Sequence, residues 1–514
     1  MKKQLIQKVQ TALLILTVLA SSCSKDNSGE QAVAGEGKVS VKIGGVSYSD
    51  NTTEPKLKQS TSKSSPTSTL PIQTVVVPFN DELSVQATLS SLSGSNPVGS
   101  AGLYASTRAA STPVSLDNGA SYQLAAYDAS GNYKGTSGVL TYTNGSSDWS
   151  VNLPAGAYTF VAVAVAPGKT LPTINFNQKL TNISFQTGDA STDLLWQKQD
   201  VQVSSGQNTA LNLILSHLFT QVSVSLQSTS ATAVGNITGV SGTTVTPNYT
   251  SATVKLTDGT YTTNGTSAGK AISFTGSGLN WASSPALIIT DGATIGNVHF
   301  GTVNLNAGGV AKSGALDLSN LTLAKGVKYS LTLRLIPQGA LDIPNSNVFW
   351  GAANLNQAGN AVESNQSIIG GLLNATGSQT GCAALAPAGS WHMPNVTDLI
   401  SPDINKAQGT YNGQAGLFFG VPQNGVAPTT NLDSYIFLPF NSTGAGFKLR
   451  ADNSEQALAN QAKGAYWLDL GNTQGWKPAL ILRDGLEPVV IGLDGAKGLQ
   501  QQQTNIGVRC IRSK

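Results

Sequence analysis

From residue 73 to residue 337 the chain alternates apolar and polar residues, segment after segment, and no convincing helix of even three turns interrupts it. QTVVVPFN, ELSVQATL, YQLAAYD, AYTFVAVAVA, TVKLTDG, AISFTG, ALIIT, GTVNLN and KYSLTLRLI each have the pattern of a strand. Successive side chains on a strand point to opposite faces, so each apolar face must be buried against another layer. DASGNYKG (128–135) supplies a turn, and LPAGAYTFVAVA (153–164) a turn followed by a long central strand. NTALNLILSHLFTQVSVSL (208–226) is too long for one strand and breaks at Ser216 and His217. It is expected to form two strands in two different sheets, with His217 at the crossing. The chain is therefore mostly β, with successive β-sandwiches expected at 73–216 and 217–337.

The N-terminus has another purpose. MKKQLIQK is a positive n-region and ALLILTVLA (12–20) an apolar stretch too short to span a membrane, so residues 1–22 have the pattern of a signal peptide. Ala20, Ser21 and Ser22 lead into Cys23 in the manner of a bacterial lipobox, which makes Cys23 the lipidation site. The alternative is an ordinary signal peptidase site beside a chance cysteine. SKDN after it resembles the start of Bacteroidetes surface lipoproteins, which implies the outer membrane. Residues 23–72 are rich in Ser, Thr, Lys and Pro and are expected to be a flexible tether, with one strand-like piece, KVSVKIGGV (38–46). Charged residues make up only 11% of the chain and the net charge is +3. With no basic run beyond the N-terminus, nucleic-acid binding is set aside.

PQGALDIPNSN (337–347) has the character of a linker, and the texture then changes. Trp350, Trp391, Trp467 and Trp476 cluster in 345–514, a third domain, together with Cys382 and Cys510. In an exported chain this even pair is expected to form a disulfide. The rival, a two-cysteine metal site, lacks further ligands apart from His392.

Catalytic chemistry is thinly represented. Histidines occur only at 217, 299 and 392, and no Gly-x-Ser-x-Gly elbow lies near any of them, so no enzyme is expected and no cofactor is assigned. Each histidine is expected to be structural, with ligand contact by His392 as the alternative. Asp433, Asp469 and Asp484 lie near turns; calcium bound through oxygen is open there but unsupported, and no metal is assigned. Tyr466, Trp467 and Trp476 either stack on a sugar or fill a small core. In NVTDLI, Asn395 is a good N-cap and Asp398 imitates the third position of a capping box, so the segment starts a short helix.

FNDELSVQATL, STRAAS, YQLAAYDASGNYKG, LPAGAYTFVAVA and SHLFTQVSV, in that order, resemble the fimbrillin family of Bacteroidetes pilins. The resemblance implies two transthyretin-like sandwiches in a lipoprotein that a surface protease cuts after an arginine. The cut frees the first strand, and a strand from the next subunit fills the groove. Arg108 is the first arginine of the chain and lies in GLYASTRAASTP, a stretch of small residues. A cut between Arg108 and Ala109 is expected to release ELSVQATL.

GCAALAPAGSWHMPNVTDL, VFWGAANL, IFLPF, AYWLDLG and IGVRCIR resemble a repeated domain of bacterial surface proteins named after Fibrobacter major paralogues. That resemblance implies an α+β, C-type-lectin-like fold and a recognition role. A last strand stapled to Cys382 through Cys510 is not free to insert into a neighbour. The expectation is a pilus-tip adhesin that accepts strands from other pilin subunits and contacts a surface glycan or protein. The alternative is a surface lipoprotein that binds through its C-terminal domain and never polymerises.

Overall fold

The computed structural model describes residues 35–49, 73–92, 113–143, 149–266, 269–343, 346–351, 354–355, 381–385, 390–395, 398, 406–411, 414–419, 436–440, 462–469, 476–483, 486–494 and 506–514. Up to residue 217 they form strands β1 (Glu36–Ser47), β2 (Gln73–Pro78), β3 (Leu83–Ser91), β4 (Ser121–Asp128), β5 (Tyr133–Thr141), β6 (Trp149–Pro154), β7 (Gly156–Val165), β8 (Ser184–Gln186), β9 (Leu195–Val203) and β10 (Asn208–His217). One sheet runs β5-β4-β7-β9-β10-β1-β6. β9 and β10 pair only through Trp196 with Ser216 and Leu195 with His217, so the sheet folds over at that corner. Val39, Val41, Tyr122, Leu124, Phe160 and Leu213 fill the space between the two halves.

The second set is β11 (Thr220–Ser228), β12 (Asn236–Ser241), β13 (Thr244–Thr246), β14 (Ser251–Lys255), β15 (Tyr261–Asn264), β16 (Lys270–Ala271), β17 (Phe274–Ser277), β18 (Asn280–Ser283), β19 (Ala286–Ile288), β20 (Gly296–Ala307), β21 (Val310–Leu321) and β22 (Lys328–Pro337). A sheet ordered β17-β18-β11-β22-β3-β2 packs on one ordered β12-β20-β13-β16, with β21 on β20. Leu83, Val85, Val224 and Leu333 meet Phe300, Val303 and Leu318 in the core between them. The break at Ser216 and His217 is where the sequence places it: β10 ends in the first sheet and β11 begins in the second. His217 is satisfied there, with Nδ1 2.7 Å from Asp193 Oδ1 and its ring stacked on Tyr48 at 3.8 Å.

Two strand placements differ from the sequence reading. KVSVKIGGV is the strand its pattern suggests, but it belongs to the first sandwich and not to the tether that was expected to carry it: β1 pairs in parallel with β10 and antiparallel with β6, and Val39, Val41 and Ile43 are core residues. ELSVQATL lies outside the first sandwich: β3 pairs along its length with β22, and β2 with β3. The physical reason is the same for both. Period-two alternation shows that a segment is a strand but carries no information about a partner far away along the chain.

A small sheet, β15-β14-β8, joins the two sandwiches. It covers the outer face of β4 and β7, so β7 is buried on both faces: Phe160 and Ala162 inward, Val161 and Val163 against Val254 and Leu256. This is why AYTFVAVAVA lacks polar residues on either face over its second half. Trp196 of β9 donates its indole N–H to the Leu256 carbonyl at 3.1 Å. Gly259 sits against that indole with φ of +69°, and a Cβ there would lie 2.5 Å from the ring.

The C-terminal strands are β23 (Ala340–Leu341), β24 (Val348–Gly351), β25 (Trp391–His392), β26 (Lys406–Tyr411), β27 (Gln414–Phe419), β28 (Ile436–Pro439), β29 (Ala462–Trp467), β30 (Trp476–Arg483), β31 (Leu486–Asp494), β32 (Ile506–Gly507) and β33 (Ile511–Ser513). They form sheets β23-β24-β33-β25, β26-β27-β28 and β31-β30-β29-β32. A helical turn occupies 381–384. Trp350, Phe419, Leu438, Tyr466, Leu480 and Ile511 share one core. Phe349, Trp391, Met393 and Val508 belong to the same apolar cluster as the second sandwich.

Candidate functional site

The most closely held strands lie at the two ends of the described chain. The last strand, β33, is an interior strand, paired with β24 on one side and β25 on the other. Just before it, Cys510 is bonded to Cys382 with Cα atoms 5.6 Å apart, and both are buried. Arg509 is fully buried. Its Nε donates to Asn354 Oδ1 at 2.9 Å, Nη1 to the Gly351 carbonyl at 3.1 Å and Nη2 to the Phe437 carbonyl at 2.6 Å. All three acceptors are neutral, and burial pulls the guanidinium down to about 10, partly offset by the nearby Tyr466. The fork therefore ties β24 and β28 to the last strand. Sequence reasoning missed it, because an arginine in GVRCIR has the look of the solvent face of a strand.

The leading segment occupies strand positions in both sandwiches. β1 lies between β10 and β6 in the first, and the β2–β3 hairpin extends the β22 edge in the second. Between them Tyr48 stacks on His217, and the Ser49 N–H donates to the Gly326 carbonyl at 2.8 Å. Val114, shortly after the arginine stretch, returns to β1 and exchanges backbone bonds with Val46 at 2.7 and 3.0 Å. Loss of everything before Ala109 would thus remove three strands, where the sequence reading counted one. It would leave β6 without its neighbour and uncover β10 and β22.

Of the residues singled out in the sequence, Cys23, Arg108, Ala109, Asp433 and Asp484 lie outside the described residues. Tyr466 is corrected: it is buried in the core, with burial pushing its hydroxyl upward, and offers no ring face to a sugar. Trp467 ends β29, where its backbone pairs with Ala479; Trp476 opens β30, where its backbone pairs with Asp494. His392 is exposed on β25, while Trp391 beside it is buried in the cluster that holds Cys382. His299 lies on a strand, with Nδ1 2.7 Å from Asp317 Oδ1. The Asn395 and Asp398 pair forms as read: the Asp398 N–H donates to Asn395 Oδ1 at 3.0 Å and the Asn395 N–H to Asp398 Oδ2 at 2.8 Å. Asp469 is placed by its N–H, which donates to the Pro394 carbonyl at 2.9 Å. Among the described residues no group of three His, Cys, Asp or Glu is placed to hold a metal ion.

Comparison with known proteins bears on the two sandwiches. Residues 103–348 match a family model described as fimbrillin-like. The fimbrillin-like stretch thus begins just before Arg108 and ends at the first residue of β24, so it takes in β4 to β23 and leaves β1 to β3 outside. Solved structures also align with the chain. A protein named for cell adhesion from Bacteroides fragilis NCTC 9343 is 17% identical, covering 48% of this chain and 92% of that one at a TM-score of 0.30. Another, from Bacteroides eggerthii DSM 20697, is 13% identical, covering 60% and 88% at 0.29. The fimbrial anchor protein Mfa2 of Porphyromonas gingivalis is 17% identical, covering 43% and 80% at 0.23. No curated protein sequence matches the chain.

Proposed function

We propose that the protein is a surface-exposed pilus subunit that stands at the tip of the fibre and acts as an adhesin. Two transthyretin-like sandwiches form its fimbrillin-like part, and the C-terminal domain, read as lectin-like, contacts a surface glycan or protein. It reaches the outer membrane as a lipoprotein on Cys23 and is cut between Arg108 and Ala109. A strand from the next pilin then enters the opened sandwiches. The fimbrillin-like match over 103–348 supports the pilus reading. The observation that carries the tip position is β33: it is interior to its sheet and follows a cysteine bonded to Cys382. A donated strand must leave its own subunit, and this one is closed on both edges and stapled.

A second reading rests on the leading segment. Its three strands are spread over both sandwiches, so its removal is a larger step than the loss of one edge strand. The chain then remains whole as a surface lipoprotein that binds through its C-terminal domain. Mass spectrometry of the protein recovered from the cell surface separates the two. A mature N-terminus at Ala109 is the expected result for the pilus subunit. A lipidated Cys23 at the head of the intact chain rejects assembly by strand release.

A further inference from the structure

The first half of β3 is buried on both faces. Leu83, Val85 and Ala87 belong to the core, yet Ser84 and Gln86, on the opposite face, are only 6% and 4% exposed. A polar face next to a sheet edge is ordinarily wet, so something covers it here. Gln86 stands opposite Arg334 of β22. Above them lies Asp342, directly after β23 of the C-terminal sheet. Its N–H donates to Gln86 Oε1 at 3.4 Å. Its carboxylate is fully buried and takes Arg334 at 2.5 Å and Lys514, just beyond β33, at 2.7 Å. Lys514 also donates to the Ser346 carbonyl.

The turn of the hairpin is held as well. The Gln338 N–H donates to the Glu82 carbonyl at 2.8 Å. The Glu82 carboxylate pairs with Lys312 at 2.5 Å and also acts on Arg512 of β33. Loss of Asp342 leaves Arg334 and Lys514 without their shared anion, and loss of Lys514 leaves the fully buried carboxylate with Arg334 as its one remaining cation.

We propose that the C-terminal domain is a latch on the leading hairpin: the Asp342 N–H holds Gln86, Lys514 and Arg334 hold Asp342 in place through its carboxylate, and β2–β3 leaves the second sandwich only when that domain lifts away. The latch belongs to the intact chain. Its consequence, that this subunit gives up its leading segment slowly, rests on the pilus reading above.

Hydrogen exchange of the full-length protein tests it with Lys514→Met and Asp342→Asn, which keep most of the side-chain volume. Amides of β3 are expected to exchange at least about tenfold faster in both variants, with β7 of the first sandwich unchanged. In Lys312→Met, which cuts only the contact from the β20–β21 side, β3 is expected to stay within about twofold of the parent. Unchanged β3 exchange in Lys514→Met and Asp342→Asn overturns the latch, as does an equal rise in β7. So does a Lys312→Met effect as large as that of Lys514→Met. No protease or second subunit takes part, so a negative result leaves the pilus reading standing, and failed assembly leaves the latch standing.

Discussion

Replacing Cys382 and Cys510 together by alanine lowers the stability of the C-terminal domain by about 4–5 kcal/mol, the chain-entropy value for a loop of this order. The bond joins residues 128 apart in sequence, and both cysteines are buried, so the lost packing of the two sulfurs adds to that cost. The effect is local. β24 and β33 should lose hydrogen-exchange protection, while β7, in a separate core, keeps its own. Equal protection of β24 and β33 in parent and variant would show that the bond is not what holds the last strand, and the argument for its immobility would fall back on Arg509.

Substitution of Gly259 by alanine is expected to destabilise the fused sandwiches by about 2–4 kcal/mol. Two effects add. A residue with a Cβ at φ of +69° is strained, and this Cβ would lie 2.5 Å from the Trp196 ring, which cannot retreat because its N–H is held by Leu256. Gly138 separates the two. Its φ is +68° and nothing lies within 4 Å of the position of a Cβ. Gly138→Ala should therefore show the backbone strain alone, about 1 kcal/mol. Urea unfolding of both variants reads the difference. If the two are equal, Trp196 and the β14–β15 turn do not share a tight core, and the sandwiches are less firmly joined than described.

Local features were legible in the sequence and distant partnerships were not. The crossing at His217 was visible because a polar pair interrupts an apolar alternation there. The Asn395 and Asp398 cap was visible because it is completed within four residues, and the cysteine pair because only two cysteines remain after Cys23. β7 was visible as a long central strand through its apolar run. By contrast, β1 sits among Ser, Thr and Lys, and its partner β10 lies some 170 positions later; alternation marks the strand but not the sheet. β3 went to the wrong sandwich for the same reason, since its partner β22 is farther still. Arg509 was missed and Tyr466 left open between sugar and core because polar atoms argue for a surface, and burial of these atoms depends on partners from other strands.

Together these contacts hold both the leading segment and the last described strand in place. The front segment belongs to two sandwiches and is clamped by the domain that follows them. The end is held by β24 and β25, by the cystine and by the buried Arg509. The most direct measurement takes purified protein cut between Arg108 and Ala109, incubates it alone at high concentration, and follows it by size-exclusion chromatography and electron microscopy. The account predicts that it stays as single subunits, because β33 is paired on both edges and stapled through Cys510. Filaments linked through the C-terminal strand would contradict it.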